Sequence, residues 1–162
     1  MRSPGSAEGA RNVVAPSQPR VWVFDLDGTL IDSLTGESIR PYAVPLLRTL
    51  RESGTTVVVW SAGGGDYARQ RCDDHGVTHL VDEFYDKEVR DAEGRWVSSH
   101  IRADATYLTF VDDRPEETPT SGRLLAVRPY IGPNPHDRGL LPLLELAVSE
   151  STSSDRRQVQ EL

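Results

Sequence analysis

The sequence predicts an α/β fold, a three-layer sandwich around a central, mostly parallel five-stranded sheet. Three observations predict it. Short β-favouring apolar runs alternate with stretches of helical periodicity along the middle of the chain. Two of those runs, residues 21–24 and 55–60, are β-favouring and continuous enough to be strands covered on both faces. The length, 162 residues of which 37% are hydrophobic and 27% charged, suits one domain with one sizeable core.

Taken in order, residues 1–19 are rich in Ser, Pro, Gly and Ala without periodicity, and are expected to form a flexible tail. The folded domain is expected over 20–148, with 149–162 a second flexible, polar tail. Residues 21–24 are the first strand. Residues 41–53 carry Ala43, Leu46, Leu47 and Leu50 at helical spacing, with Pro41 near the start and Gly54 just past the end, which marks a crossover helix. Residues 55–60 form the second strand. Asp66 is placed to cap a helix that runs through Asp74 and stops at Gly76. Residues 79–84 are the expected third strand, and 88–97 a small hairpin around Asp91-Ala92-Glu93-Gly94. Residues 106–111 and 124–127 supply the fourth and fifth strands, and 138–148 a closing amphipathic helix. Strands alternating with helices imply helices on both faces of the sheet, and no internal repeat suggests a solenoid.

Composition excludes several classes of function. No apolar run approaches the eighteen or so residues of a membrane span. Residues 1–20 lack the apolar segment of a secretory signal, and the lone Cys72 supports no internal disulfide, so a cytoplasmic protein is expected. A net charge of -7 disfavours a surface built to attract phosphate backbones, though a local basic groove stays open to it. Of the 18 cationic residues only Lys87 is lysine, a bias typical of GC-rich coding that points to a bacterium or its phage.

The chemistry concentrates where the first strand ends, in Asp25-Leu26-Asp27-Gly28-Thr29-Leu30. Open parallel sheets hold their ligands at this edge. Two carboxylates two residues apart there converge on one site, where one can act as nucleophile while the other gives and takes protons. Asp112 and Asp113 end the fourth strand at the same edge. Four carboxylates gathered without a cation would repel one another, so a hard divalent cation such as Mg2+ is a physical expectation. Gly63-Gly64-Gly65 lacks the Gly-Lys-Ser/Thr ending of a nucleotide-binding loop, but its amides stand ready to hold phosphate oxygens beside Ser61. His75 and His79 are split by Gly76 and make a poor zinc pair, and Cys72 reads as core.

The run from Val21 to Ile31, a hydrophobic strand followed by Asp-x-Asp-Gly-Thr and an apolar pair, resembles the first motif of the haloacid dehalogenase superfamily of phosphohydrolases. Ser61 after the second strand, Lys87 beyond the third and Asp112-Asp113 after the fourth fall in the order of that family's other three motifs. The resemblance implies a Rossmann-like fold and Mg2+-dependent phosphoryl transfer to water through an aspartyl-phosphate. It makes Asp25 the nucleophile, Asp27 the acid and base, and Lys87 the fixed cation, with Arg90 as its substitute should the third strand lie elsewhere. Mg2+ would be held by Asp25, the Asp27 backbone carbonyl and Asp113, with Asp112 acting through water or the backbone. Thr29, Ser61 and the amides of Ala62 and Gly63 would orient the phosphoryl group.

Members of that superfamily usually carry a cap domain, for which this chain has little room. Only 33 residues separate Asp27 from Ser61, and 50 separate Ser61 from Asp112. A capless, open site goes in the family with a phosphorylated macromolecule or with oligomeric shielding, although a small molecule is also accommodated. Arg95-Trp96 on the hairpin and Arg114 after the acidic pair are candidate substrate contacts. The Asp-Asp-Arg sequence resembles that of polynucleotide phosphatase domains and makes a polynucleotide end-phosphatase one alternative. A non-catalytic phosphate- or partner-binding module on the same fold is another.

Overall fold

The computed structural model describes residues 18–160, and the first tail lies almost wholly outside them. Five parallel strands form one sheet in the order β3-β2-β1-β4-β5: β1 (Val21–Asp25), β2 (Thr56–Ser61), β3 (Glu83–Asp86), β4 (Leu108–Asp112) and β5 (Arg123–Ala126). The central strand is therefore the one that carries the first acidic motif. All five of its residues are buried, which explains why it reads as an unbroken apolar run rather than an alternating one.

Three helices cover the sheet: α1 (Ala43–Glu52), α2 (Gly65–Asp74) and α3 (Leu141–Gln160). All three pack on the same face. Trp22 and Phe24 of β1, Val57 and Val59 of β2, and Val111 of β4 meet Leu46, Leu47 and Leu50 of α1, Ala68 and Cys72 of α2, and Leu143 and Ala147 of α3 in one apolar cluster. The other face presents Val21, Val23, Val58, Trp60, Leu108 and Phe110, and Ile101 closes over them with Trp96, Ala103 and Tyr85 packed alongside. Its cover is the β3 to β4 crossover, which has one isolated bridge and one short 3-10 turn (Ala105–Tyr107) but no α-helix. The three layers are present, but the second outer layer is irregular where a helix was expected.

Element by element, β1, α1 and β2 fall within a residue or two of their sequence positions. The predicted third strand is displaced. Residues 78–80 wind into a 3-10 turn, with the Leu80 N–H donating to the Val77 carbonyl, and β3 begins only at Glu83. Asp66 does not cap α2; it lies in the first turn, and Gly64 holds the cap position. The hairpin reduces to the Arg90–Trp96 bridge, with the Asp91 N–H donating to the Arg95 carbonyl at 2.8 Å. The last helix passes Val148 and continues to Gln160, through the polar stretch expected to be a tail. Glu150 anchors that extension by pairing with Arg20 at 2.8 Å and Arg123 at 2.6 Å.

No cap domain interrupts the fold. Between β1 and α1 the chain forms a short flap, closed at its base by the Ile31–Ile39 bridge. Asp32 organises it, accepting from the backbone N–H of Thr35, Gly36 and Ser38 and from the Thr35 hydroxyl. Burial alone would raise this carboxyl, but the backbone donors of Thr35 and Ser38, the Thr35 hydroxyl and Gly36 outweigh it and hold it down at about 2. The flap is tied down outward too: the Gly36 carbonyl accepts from Arg71 and lies 2.8 Å from His75 Nε2, both on or just beyond α2. Arg40, fully buried, pairs with Asp137 at 2.7 Å and donates to the Arg128 carbonyl, fastening the loop after β5 to the flap's base. Among the described residues no helix is long and apolar enough to cross a membrane.

Candidate active site

Strand alternation sets which side chains reach the site. Val21, Val23 and Asp25 point to the irregularly covered face, as do Leu108, Phe110 and Asp112 on β4. Trp60 lies in register with Asp25. β1 and β4 thus each keep apolar side chains on this face until their C-terminal residue, where a carboxylate takes over. Tyr85 belongs to the same face, and two residues on from it comes Lys87, whose backbone N–H donates to the Ser61 carbonyl at 2.9 Å.

Lys87 joins the acids. Its Nζ lies 2.8 Å from Asp25 Oδ1 and 3.3 Å from Asp112 Oδ2, and 5.2 Å above the centre of the Trp60 ring. Its side chain is only 6% exposed. Burial opposes the ammonium, but Asp25 and Asp112 together outweigh that penalty and its pKa is raised. Arg90, the substitute for Lys87, is occupied elsewhere: it pairs with Glu117 at 3.0 Å and stacks 4.3 Å from the Trp96 ring.

Asp25, Asp112 and Asp113 each offer an oxygen within 4.8 Å of the others, in the acidic group that could hold a metal ion. Burial pushes the Asp25 carboxyl up to about 7 against the pull of Lys87, and pushes Asp112 up to about 6, with Asp25 adding to the rise. In both cases burial is the main cause and a neighbouring carboxylate adds to it. Gly28 makes room for this group. It sits at φ +82, and a Cβ there would come within 2.6 Å of Asp113 Oδ2.

Thr29 differs from its expected part. Its side chain is fully buried, and its hydroxyl faces Asp25 Oδ2 at 3.1 Å and Asp113 Oδ1 at 3.3 Å, so it braces two acids from behind. The glycine amides are also committed within the protein. Gly63 N–H donates to Ser61 Oγ at 3.0 Å, Gly64 N–H to the Ser61 carbonyl, and Gly65 N–H to Asp86. Ala62 is exposed on that loop, whereas Ser61 is buried and its Oγ already accepts the Gly63 N–H. Asp27 stands outside the buried acidic group, with Oδ1 accepting from Tyr67 of α2 at 3.0 Å. Burial and then that bond to Asp27 push the Tyr67 hydroxyl up, which keeps it a donor.

The remaining candidates divide. Arg95 donates to the Pro115 and Thr118 carbonyls and Trp96 packs against the apolar cluster, so both serve the fold. Arg114 keeps a side chain 65% exposed beside the acidic pair. Cys72 is buried in the core, where burial raises its thiol to about 12 and makes it a poor nucleophile. Sequence reasoning missed Tyr67 and Trp60. For Trp60 the signal was available: an aromatic residue directly before Ser61, in register with the first acid.

A parallel sheet bearing acids at the carboxyl ends of its central strand and that strand's neighbour β4, with a lysine between them and no cap, goes with a family match that makes the chain a phosphatase of the haloacid dehalogenase superfamily. Within it, the chain belongs to the NLI interacting factor-like phosphatase family, which matches residues 20–157. Among curated proteins none matches significantly. Among solved structures, a haloacid dehalogenase-like hydrolase from Streptococcus pneumoniae is 13% identical, aligns over 70% of this chain and 87% of its own, and has a TM-score of 0.56. A protein from Listeria monocytogenes serotype 4b is 15% identical over 81% of this chain and 99% of its own, with a TM-score of 0.47. A chain of a Pnkp1/Rnl/Hen1 complex is 15% identical over 74% of this chain and 49% of its own, with a TM-score of 0.46. At 13% identity the likeness to the Streptococcus pneumoniae protein is one of fold.

Proposed function

We propose that this protein is a Mg2+-dependent phosphomonoester hydrolase that works through an aspartyl-phosphate on Asp25. The observation that carries the reading is the buried contact of Lys87 with both Asp25 and Asp112, with Asp113 close enough to complete a three-carboxylate group. That donor set is all oxygen and carries more negative charge than one ammonium offsets, which fits a hard divalent cation. Asp25, Asp113 and the Asp27 backbone carbonyl would hold Mg2+, and Asp112 would support them through its bonds to Lys87 and to the Arg114 N–H. Bound there, Mg2+ supplies charge neutralisation for the phosphate oxygens.

The chain's own groups carry the bond changes. A carboxylate oxygen of Asp25 attacks phosphorus, the bond from phosphorus to the leaving oxygen breaks, and Asp27 gives that oxygen its proton. Asp27 then takes a proton from water as the water oxygen attacks phosphorus; the Asp25–phosphate bond breaks, releasing inorganic phosphate and restoring Asp25. Lys87 favours the ionised form of Asp25 against its burial, as bound Mg2+ would, and balances charge on the transferring group. Ser61 Oγ and the Ala62 N–H would orient the phosphoryl oxygens. With no cap over the sheet edge, the site suits a phosphate on a macromolecule as well as on a small molecule.

The test is hydrolysis of an aryl phosphate and of phosphopeptides by purified protein in Mg2+ and in EDTA, with Asp25→Asn and Asp27→Asn alongside. Turnover that needs Mg2+ and falls by about four orders of magnitude in Asp25→Asn is expected. Turnover that survives EDTA or Asp25→Asn overturns the mechanism. Phosphate binding without turnover on any substrate would instead identify a binding module.

A further inference from the structure

Asp27 is held differently from the other acids. Asp25, Asp112 and Asp113 are fixed by burial, by Lys87 and by Thr29, whereas the Asp27 side chain has one partner among the described residues, the hydroxyl of Tyr67 at 3.0 Å. Tyr67 is the third residue of α2, 38% exposed, so its ring lies at the mouth of the site rather than in the core. The loop after β2 is shaped around that ring. A Cβ at residue 63 would come within 2.7 Å of Tyr67 Cδ1 and 3.1 Å of Cε1, so the ring occupies the place a side chain at 63 would need. Gly63 also donates its N–H to Ser61 Oγ. One loop thus joins Ser61, the Tyr67 ring and, through the phenol, the Asp27 carboxylate.

We propose that Tyr67 is a positioning residue for phosphoryl transfer: its hydroxyl fixes Asp27 by Oδ1, leaving Oδ2 to pass the proton to the leaving oxygen and then accept one from water. The proposal rests on the phosphatase reading above. A general acid must stand within hydrogen-bond reach of the atom it protonates, and a half-buried carboxylate with one anchor loses that placement when the anchor goes. No bond to substrate is asked of Tyr67.

The experiment compares wild type, Tyr67→Phe and Gly63→Ala on two substrates in Mg2+. One is an aryl phosphate, whose leaving group departs with little help from an acid; the other is an alkyl phosphate, whose leaving group needs the proton. Tyr67→Phe keeps the ring in place and removes only the hydroxyl. Its kcat on the alkyl phosphate is expected to fall about ten- to a hundredfold with KM nearly unchanged, and the fall on the aryl phosphate to be several times smaller. Gly63→Ala, which pushes the ring aside, is expected to show the same substrate dependence. In an Asp27→Asn background Tyr67→Phe should cost nothing further. Equal losses on both substrates, or a rise in KM at constant kcat, overturn the proposal and make Tyr67 a substrate contact or a purely structural residue. Wild type active on both substrates with Tyr67→Phe indistinguishable from it overturns this inference alone; wild type inert on both overturns the phosphatase reading and the inference together.

Discussion

The two faces of the sheet are built from the same strands and covered by different means. On one, three helices bury alternate residues of β1 and β2 together with Val111 in a continuous apolar cluster. On the other, the β3 to β4 crossover lays Trp96, Ile101 and Ala103 over a smaller cluster, with little regular hydrogen bonding of its own. Asp25, Asp112 and Lys87 extend from the second face. The contrast shows a division of labour: the helical face supplies most of the apolar burial, while the coil-covered face ends in Asp25, Trp60 and Asp112, so its packing and its charges share the same strands. The helical face contributes Tyr67 on α2 and Ser61, which alternates with Trp60 at the end of β2.

The sharpest way to break this comparison is to remove one large side chain from each face. Trp60→Ala should cost about 3–5 kcal/mol of stability and also depress kcat, because Lys87 loses the ring beneath its ammonium. Leu46→Ala on the helical face should cost about 2–5 kcal/mol and leave the kcat of the folded fraction unchanged. Urea midpoints read against kcat separate the two outcomes, and equal kcat in both variants would erase the distinction.

A smaller effect concerns pH. Burial raises Asp25 from 3.8 to about 7 and Asp112 in the same direction to about 6, so the folded, metal-free chain holds protons that the unfolded chain has released. Its stability should therefore fall as pH rises from 3.8 towards 7. Melting temperatures measured across that window in EDTA should slope downward, and Mg2+ should flatten the slope by favouring the ionised acids. The smallest effect belongs to the edge of the helical face, where Glu150→Ala removes the pairs with Arg20 and Arg123. These ions are partly exposed, so the loss should stay within about 0.2–1 kcal/mol and shrink with added salt.

How far the sequence revealed all this depended on which face a residue serves. Residues 41–53 announced α1 because apolar side chains recur at helical spacing on one side, and β1 and β2 announced themselves because both of their faces are covered. The crossover over the other face has no period to read, since its residues fill gaps one at a time. Trp96 looked available for a substrate for that reason, and it is packed against the apolar cluster. The third strand slipped because Thr78-His79-Leu80 is β-capable by composition yet turns back on Val77, while Phe84 and Tyr85 carry the pairing with β2. Lys87 nevertheless stands beside the acids, since the strand ends directly before it. The acids were legible because strand ends bunch them by alternation alone. Tyr67 was not, because its partnership with Asp27 spans forty residues and arises only when α2 packs beside the flap.

The order of the strands also sets an order of failure. Asp25 hangs on the central strand, bonded on both sides by β2 and β4, whereas Lys87 follows β3, a four-residue strand at the edge with one neighbour. Amides of β1 should exchange with solvent only on global opening, and those of β3 through local fraying. Warming would then release the lysine while the carboxylates still stand in a folded sheet, so catalysis would fade some degrees before the melt, and cooling would restore it without any refolding of the core.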